Sequence, residues 1–173
     1  SPIIEGKYVY YCLNQKESGT GSELHYHPNE LLIFGLKGKI NAVVGKERKI
    51  VNPGTFILIP PNVRHSMKAT EDGPCAYLYI KDSTWTVVGV SADEELPDQA
   101  MSVEEVNRKF EKGEIVDRKN KGASNSGKKE SRSIIIDGVP NCYYEIMKKI
   151  EQEYSVGNSI REIHGERMNF KFY

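Results

Sequence analysis

Long apolar runs are missing from this sequence. None approaches the roughly 20 residues needed to cross a bilayer, and the longest, around Leu31–Phe34 and Phe56–Pro61, have the length of strands. Charge of one sign is also missing: 24 basic residues balance 24 acidic ones, so no global field would hold nucleic acid or an anionic membrane. The first residues, Ser1–Gly6, lack the basic start and apolar centre of a signal peptide, so a cytoplasmic location is the default expectation, although the missing Met is what a trimmed end would show. Cysteine is scarce. Cys12, Cys75 and Cys142 are odd in number, far apart and set among apolar or aromatic neighbours, which points to buried reduced thiols and not to a disulfide framework or zinc knuckle. What remains, 38% hydrophobic and 28% charged residues over 173 positions, is an ordinary globular composition, enough for one domain with a core plus a modest extension.

Residues 1–90 read as dense β structure, a barrel domain. Aromatic and β-branched runs at Tyr8–Leu13, Leu31–Leu36, Lys39–Val44, Lys49–Val51, Thr55–Ile59, Ala76–Lys81 and Thr84–Val90 are separated by Gly, Pro or Asn. Gly45 and Lys46 suit a tight hairpin turn between two of these runs. Many short strands with regular turns predict a sandwich or closed barrel.

The character changes over 91–133. Ser91–Asp98 is an acidic exit loop, and Ser102 caps a short helix through Phe110, with Glu105 completing the capping box. Arg118–Arg132 is polar, basic and rich in Gly and Ser. It reads as a solvated linker, since no aromatic residue interrupts it to stack on a base.

Residues 134–173 form an extension that would pack on the barrel or on a dimer partner. Ile134–Ile136 is a short apolar strand or anchor, and Tyr143, Ile146, Met147, Ile150 and Tyr154 share one stripe of a helix over Asn141–Tyr154. Ser159–His164 and Glu166–Tyr173 follow as two strands around Gly165.

Histidine carries the chemistry. Only four are present, and three of them lie in the segments Gly21–Gly38 and Pro53–His65. Histidines two apart on a strand share a face, so His25 and His27 both aim into a barrel interior. In the second segment Gly54 leads a strand, Pro60, Pro61 and Asn62 form a corner, and His65 follows it. Asn62 sits where the chain needs a positive φ, which Asn tolerates better than most residues. Three neutral imidazoles suit Fe, Mn, Co, Ni or Zn, and do not suit Ca or Mg. Tyr10, Arg64, Met67, Tyr77, Tyr79 and Trp85 are further candidates for the cavity wall, packing being the ordinary role of each, and Arg64 should point away from His65 by alternation. His164 reads as a turn residue.

These two segments resemble the paired signature motifs of the cupin superfamily, over roughly residues 20–82. The resemblance implies a mainly β, double-stranded β-helix (jelly-roll) barrel with one divalent transition metal at its centre and a substrate entering at one mouth. In the family pattern a glutamate after the histidine pair supplies a fourth ligand. Here that position falls on Leu31, with Glu30 one place earlier, where alternation turns a side chain away. A bulge at Pro28 and Asn29 would restore it, so Glu30 stands as the candidate fourth ligand beside an all-histidine alternative. The all-histidine form resembles gentisate-type ring-cleaving dioxygenases, although Ser66 and Met67 replace a second histidine of their other motif.

Iron is the favoured metal on this reading. The expected function is a metal-dependent enzyme on a small organic acid or phenolic compound, with dioxygenase-like C–C cleavage ahead of metal-dependent isomerisation or decarboxylation. A non-catalytic ligand-binding or sensor cupin is the other alternative. The segment Gly165–Tyr173 resembles the strand that opens many cupin barrels, which implies either a second barrel or, the favoured expectation, a hairpin lent to a homodimer.

Overall fold

A computed structural model describes residues 3–112, 114, 142–145 and 161–172 of the chain. The first strands follow period-2 alternation closely. Strand β1 (Ile3–Glu5) pairs with β2 (Val9–Lys16), where Tyr10 and Cys12 are buried while Tyr11 and Leu13 face outward. After β3 (His25–Tyr26) come β4 (Leu31–Lys37), β5 (Ile40–Val44), β6 (Glu47–Val51), β7 (Thr55–Ile59), β8 (His65–Ala69) and β9 (Cys75–Asp82). Gly45, at φ 58°, begins the two-residue turn between β5 and β6, a left-handed position that glycine accepts without a Cβ clash.

Two antiparallel sheets result. Adding β10 (Val90–Ser91) and β11 (Tyr143–Glu145), one sheet runs β1-β2-β9-β4-β7-β11 and the other β10-β3-β8-β5-β6. Leu31, Ile33, Ile57 and Ile59 of the first meet Ile40, Ala42, Val44 and Met67 of the second in one buried cluster. Burying these aliphatic faces against each other is the main driving force for the closed barrel, at about 25 cal/mol per Å² of apolar surface. The result is the mainly β jelly-roll expected from the sequence. Helix α1 (Val103–Glu111) starts where Ser102 Oγ accepts from the Glu105 amide at 3.1 Å, the N-cap bond that the sequence predicts. No helix among the described residues is long and apolar enough to cross a membrane.

Two strands differ from expectation. The run over Thr84–Val90 is extended only at Val90–Ser91, because the carbonyls of Thr86 and Val87 are drawn to a buried lysine and cannot join a ladder. Tyr143–Glu145 is a strand and not part of a helix. It covers the otherwise open edge of β7 in the register Tyr143↔Ile57, and an unpaired sheet edge outweighs a helical stripe of side chains. The rest of the expected helix, the linker over Arg118–Arg132 and the strand over Ile134–Ile136 lie outside the described residues.

A separate hairpin, β12 (Arg161–His164) with β13 (Asn169–Phe172), lies on the outer face of the first sheet. There Ile163 and Phe170 pack with Leu32, Leu58, Phe56 and Tyr144.

Candidate metal centre

The three histidines of the two motifs converge. His25 on β3 stands directly opposite His65 on β8, and His27 follows β3 by one residue. Their ring centroids are 4.3 Å apart for His25 and His65, 4.7 Å for His27 and His65, and 5.9 Å for His25 and His27. The corner of the second motif is tied to the first by the Asn62 amide, which donates to the His27 carbonyl at 2.8 Å. Asn62 has φ 62°, and it alone among the described non-glycine residues adopts a positive value.

Each ring is oriented through its Nδ1. His25 Nδ1 donates to the Glu23 carbonyl at 2.7 Å, His27 to the Asn29 carbonyl at 3.2 Å, and His65 to the Val63 carbonyl at 2.8 Å. A carbonyl can only accept, so every Nδ1 carries a proton, and in the neutral ring Nε2 is the nitrogen that presents a lone pair. One ligand atom from each of the three residues lies within 4.8 Å of the other two. His65 Nε2 is buried with no hydrogen-bond partner among the described residues, and a buried polar atom of this kind costs stability unless something binds it. The donor set and this orphaned nitrogen fit a divalent transition metal held by three imidazoles. Burial holds the pKa of His27 well below the ordinary 6.5, helped by the positive charge of Lys81, and burial does the same for His65. Both rings are therefore neutral, the form that ligates. Gly89 lies against the His25 ring, where a Cβ would come within 2.3 Å of Cδ2, so this backbone also fixes the ring.

Glu30 does not join them. Its side chain is fully buried on the opposite side of the sheet, where Oε1 accepts from the Glu166 amide at 2.6 Å and Oε2 from the amides of Arg167 and Met168 at 2.9 and 2.7 Å. The fourth-ligand expectation for Glu30 is thus corrected. No bulge shifts the register before β4; Glu30 shares the outward face with Leu32, and Leu31 takes the inward one. The carboxylate is a latch for the β12–β13 turn. Arg167 reinforces it, with Nη1 donating to Pro28 O at 2.7 Å and to Asp82 Oδ2 at 3.1 Å.

The imidazoles open onto a cavity of about 370 Å³. Of the candidate wall residues, Met67, Tyr77 and Tyr79 line it, and Tyr10, Arg64 and Trp85 do not. Burial raises the pKa of both tyrosines well above the ordinary value, so they face the cavity as neutral phenols. His164 is exposed on the hairpin, bonded to Glu162 and Asn169, far in chain and face from the cavity. Cys12, Cys75 and Cys142 are buried free thiols.

A model of the cupin domain family matches residues 12–81, a span that holds all three histidines and the strands that carry them. Residues 12–81 are a cupin domain. Solved cupins and related structures are similar to it at low identity. TT1209 from Thermus thermophilus is 20% identical with a TM-score of 0.44, the alignment covering 46% of this chain and 76% of that one. A cupin-2 domain protein from Rhodospirillum rubrum is 19% identical with a TM-score of 0.45, covering 63% and 69%. The DMSP lyase DddQ from Ruegeria pomeroyi is 18% identical with a TM-score of 0.47, covering 53% and 47%. No curated protein matches the sequence.

Of the cavity residues that escaped sequence reasoning, Lys81 is the most unusual. Lys81 is 2% exposed and lines the same cavity, and burial pushes its ammonium down to about 7. The signal was available, since Cys75, Tyr77, Tyr79 and Lys81 alternate onto one face of β9. Lysine at an inner position is unusual enough to be read by default as a strand end.

Proposed function

We propose that this cupin is a metal-dependent enzyme acting on a small organic acid or phenolic compound, with oxygen-dependent C–C cleavage as the leading reaction and iron as the favoured metal. The observation that carries the reading is the all-imidazole donor set, with Leu31 and not a carboxylate on the inward face beside it. A divalent ion there would keep its full double charge, act as a Lewis acid on substrate oxygens and, as iron, supply redox chemistry with dioxygen.

The chain's own residues account for the rest. His25, His27 and His65 would hold the ion from the cavity wall that they line, and a bound molecule would reach it from the cavity. The carbonyls of Glu23, Asn29 and Val63 keep the imidazoles in the ligating tautomer. Leu31, Ile33 and Met67 supply an apolar wall that excludes water around a bound organic molecule. Tyr77 and Tyr79 offer neutral hydroxyl donors along that wall.

Two measurements test this reading. Purified protein should hold stoichiometric metal, and the His25→Ala and His65→Ala substitutions should remove it. The iron-loaded protein, screened over catechols, hydroxybenzoates and diones, should consume oxygen with at least one of them. Metal content indifferent to both substitutions would refute the metal site. Silence across the panel with full iron would refute the oxygenase reaction and leave isomerisation, decarboxylation or ligand binding.

A further inference from the structure

Of the charged residues that line the cavity, Lys16, Glu23 and Lys81, only Lys81 is fully buried. Lys81 ends the inward row of β9, and the residue paired with it on β4 is Leu31, which lines the same cavity and offers no charge. Asp82, the next residue, turns to the opposite face, where it is held by Thr84 and Arg167. The carboxylate of Glu23, which also lines the cavity, is engaged by Lys68 at 3.0 Å.

The Lys81 ammonium donates to the carbonyls of Thr86 and Val87 at 3.3 and 3.0 Å. An ammonium has three donors, so one N–H is left without a partner among the described residues. Burying a cation against two neutral carbonyls is costly, and a neutral side chain could hold the same loop without that cost. The arrangement is explained if a ligand brings the missing negative charge.

We propose that Lys81 is the anion anchor of this cavity and selects a substrate bearing a carboxylate whose neighbouring oxygen donors reach the three-histidine end. This rests on the metal-dependent reading above and narrows it: neutral diones and simple catechols fall outside the preferred class. A carboxylate fits better than a phosphate. The one fully buried ammonium, set among Leu31, Ile33, Met67 and Val87 while Lys16 is only half-buried, balances a single compact negative charge, and the apolar wall suits the carbon skeleton attached to it.

Salicylate and salicylamide test the anchor, because they share a shape and differ in charge. Both are titrated into cobalt(II)-loaded protein while the visible absorption of the metal is followed, with cobalt content measured separately for wild type, Lys81→Gln and Lys81→Met. Gln keeps a donor for the two carbonyls, so it decides the matter should Met impair folding. Wild type should prefer salicylate by about tenfold or more, the scale of one charge-assisted hydrogen bond. Both variants should keep full cobalt, lose that preference and bind salicylamide as wild type does. Full cobalt with salicylate affinity unchanged in Lys81→Gln overturns the anchor and leaves the metal site standing. Wild type that binds salicylate no better than salicylamide also overturns it. Wild type that takes up no cobalt overturns the metal reading, and this proposal with it.

Discussion

Replacing Glu30 with Gln separates a latch from a ligand. The carboxylate accepts three backbone N–H donors, one at Oε1 and two at Oε2. An amide in its place can keep its oxygen toward the two donors of Arg167 and Met168, but its NH₂ then faces the donor of Glu166. One bond is lost and the remaining two lose their charge assistance. Hydrogen bonds to charged groups contribute about 1.5–3 kcal/mol and neutral ones about 1, so exchanging three of the first kind for two of the second should cost at least about 2.5 kcal/mol. A shift of that size lowers the folded-to-unfolded ratio by well over tenfold. Urea titration of metal-free protein should show the lowered midpoint, and hydrogen exchange should show the amides of 166–168 losing protection ahead of the barrel strands. Metal content should be unchanged. A Glu30→Gln protein that loses its metal while keeping hairpin protection would refute the reasoning and return Glu30 to the coordination sphere.

Three further outcomes follow from the same geometry. Gly89→Ala puts a Cβ about where the His25 ring lies, at 2.3 Å from Cδ2; metal affinity measured by competition with a chelator should fall by about tenfold or more, and unchanged affinity would show that the ring has room to move. The metal-free protein should lose stability as pH falls below 6.5, because His27 and His65 hold folded pKa values below that figure and an unfolded chain takes up protons that the folded one refuses. Two such groups give a slope of up to about 2.7 kcal/mol per pH unit, seen as a falling melting temperature between pH 6.5 and 5, and bound metal should move the fall to lower pH; a flat profile would contradict the burial of the imidazoles. Asp82, drawn below its usual 3.8 against the cost of burial by bonds from Thr84, Glu30 and Arg167, should add a second loss as pH drops through and below the ordinary carboxylate value, one that Arg167→Met would diminish.

The barrel and its histidines were legible because local chemistry and global demand agree there. Alternation in Ile40, Ala42 and Val44, the cap at Ser102, and the positive φ at Asn62 each follow from a rule about a few neighbouring residues. Glu30 was only half legible. Its one-residue offset pointed it outward, but nothing local said that the amides of Glu166, Arg167 and Met168, about 136 to 138 residues away in the chain, would meet it. Strand β11 was misread because the stripe through Tyr143 and Ile146 has helical spacing, whereas the open edge of β7 is visible only once the sheet exists. Lys81 was missed because a charged side chain at a strand end is normally solvated, and its burial depends on the loop of Thr86 and Val87 folding over it.

X-ray absorption on metal-loaded wild type tests the central claim most directly. Three imidazole nitrogens about 2.0–2.1 Å from the ion, as in zinc–histidine sites, with the ring carbons visible in the outer shell, would agree with His25, His27 and His65 as the protein ligands. A sphere with fewer imidazoles, or one that survives intact in the His65→Ala protein, would contradict it.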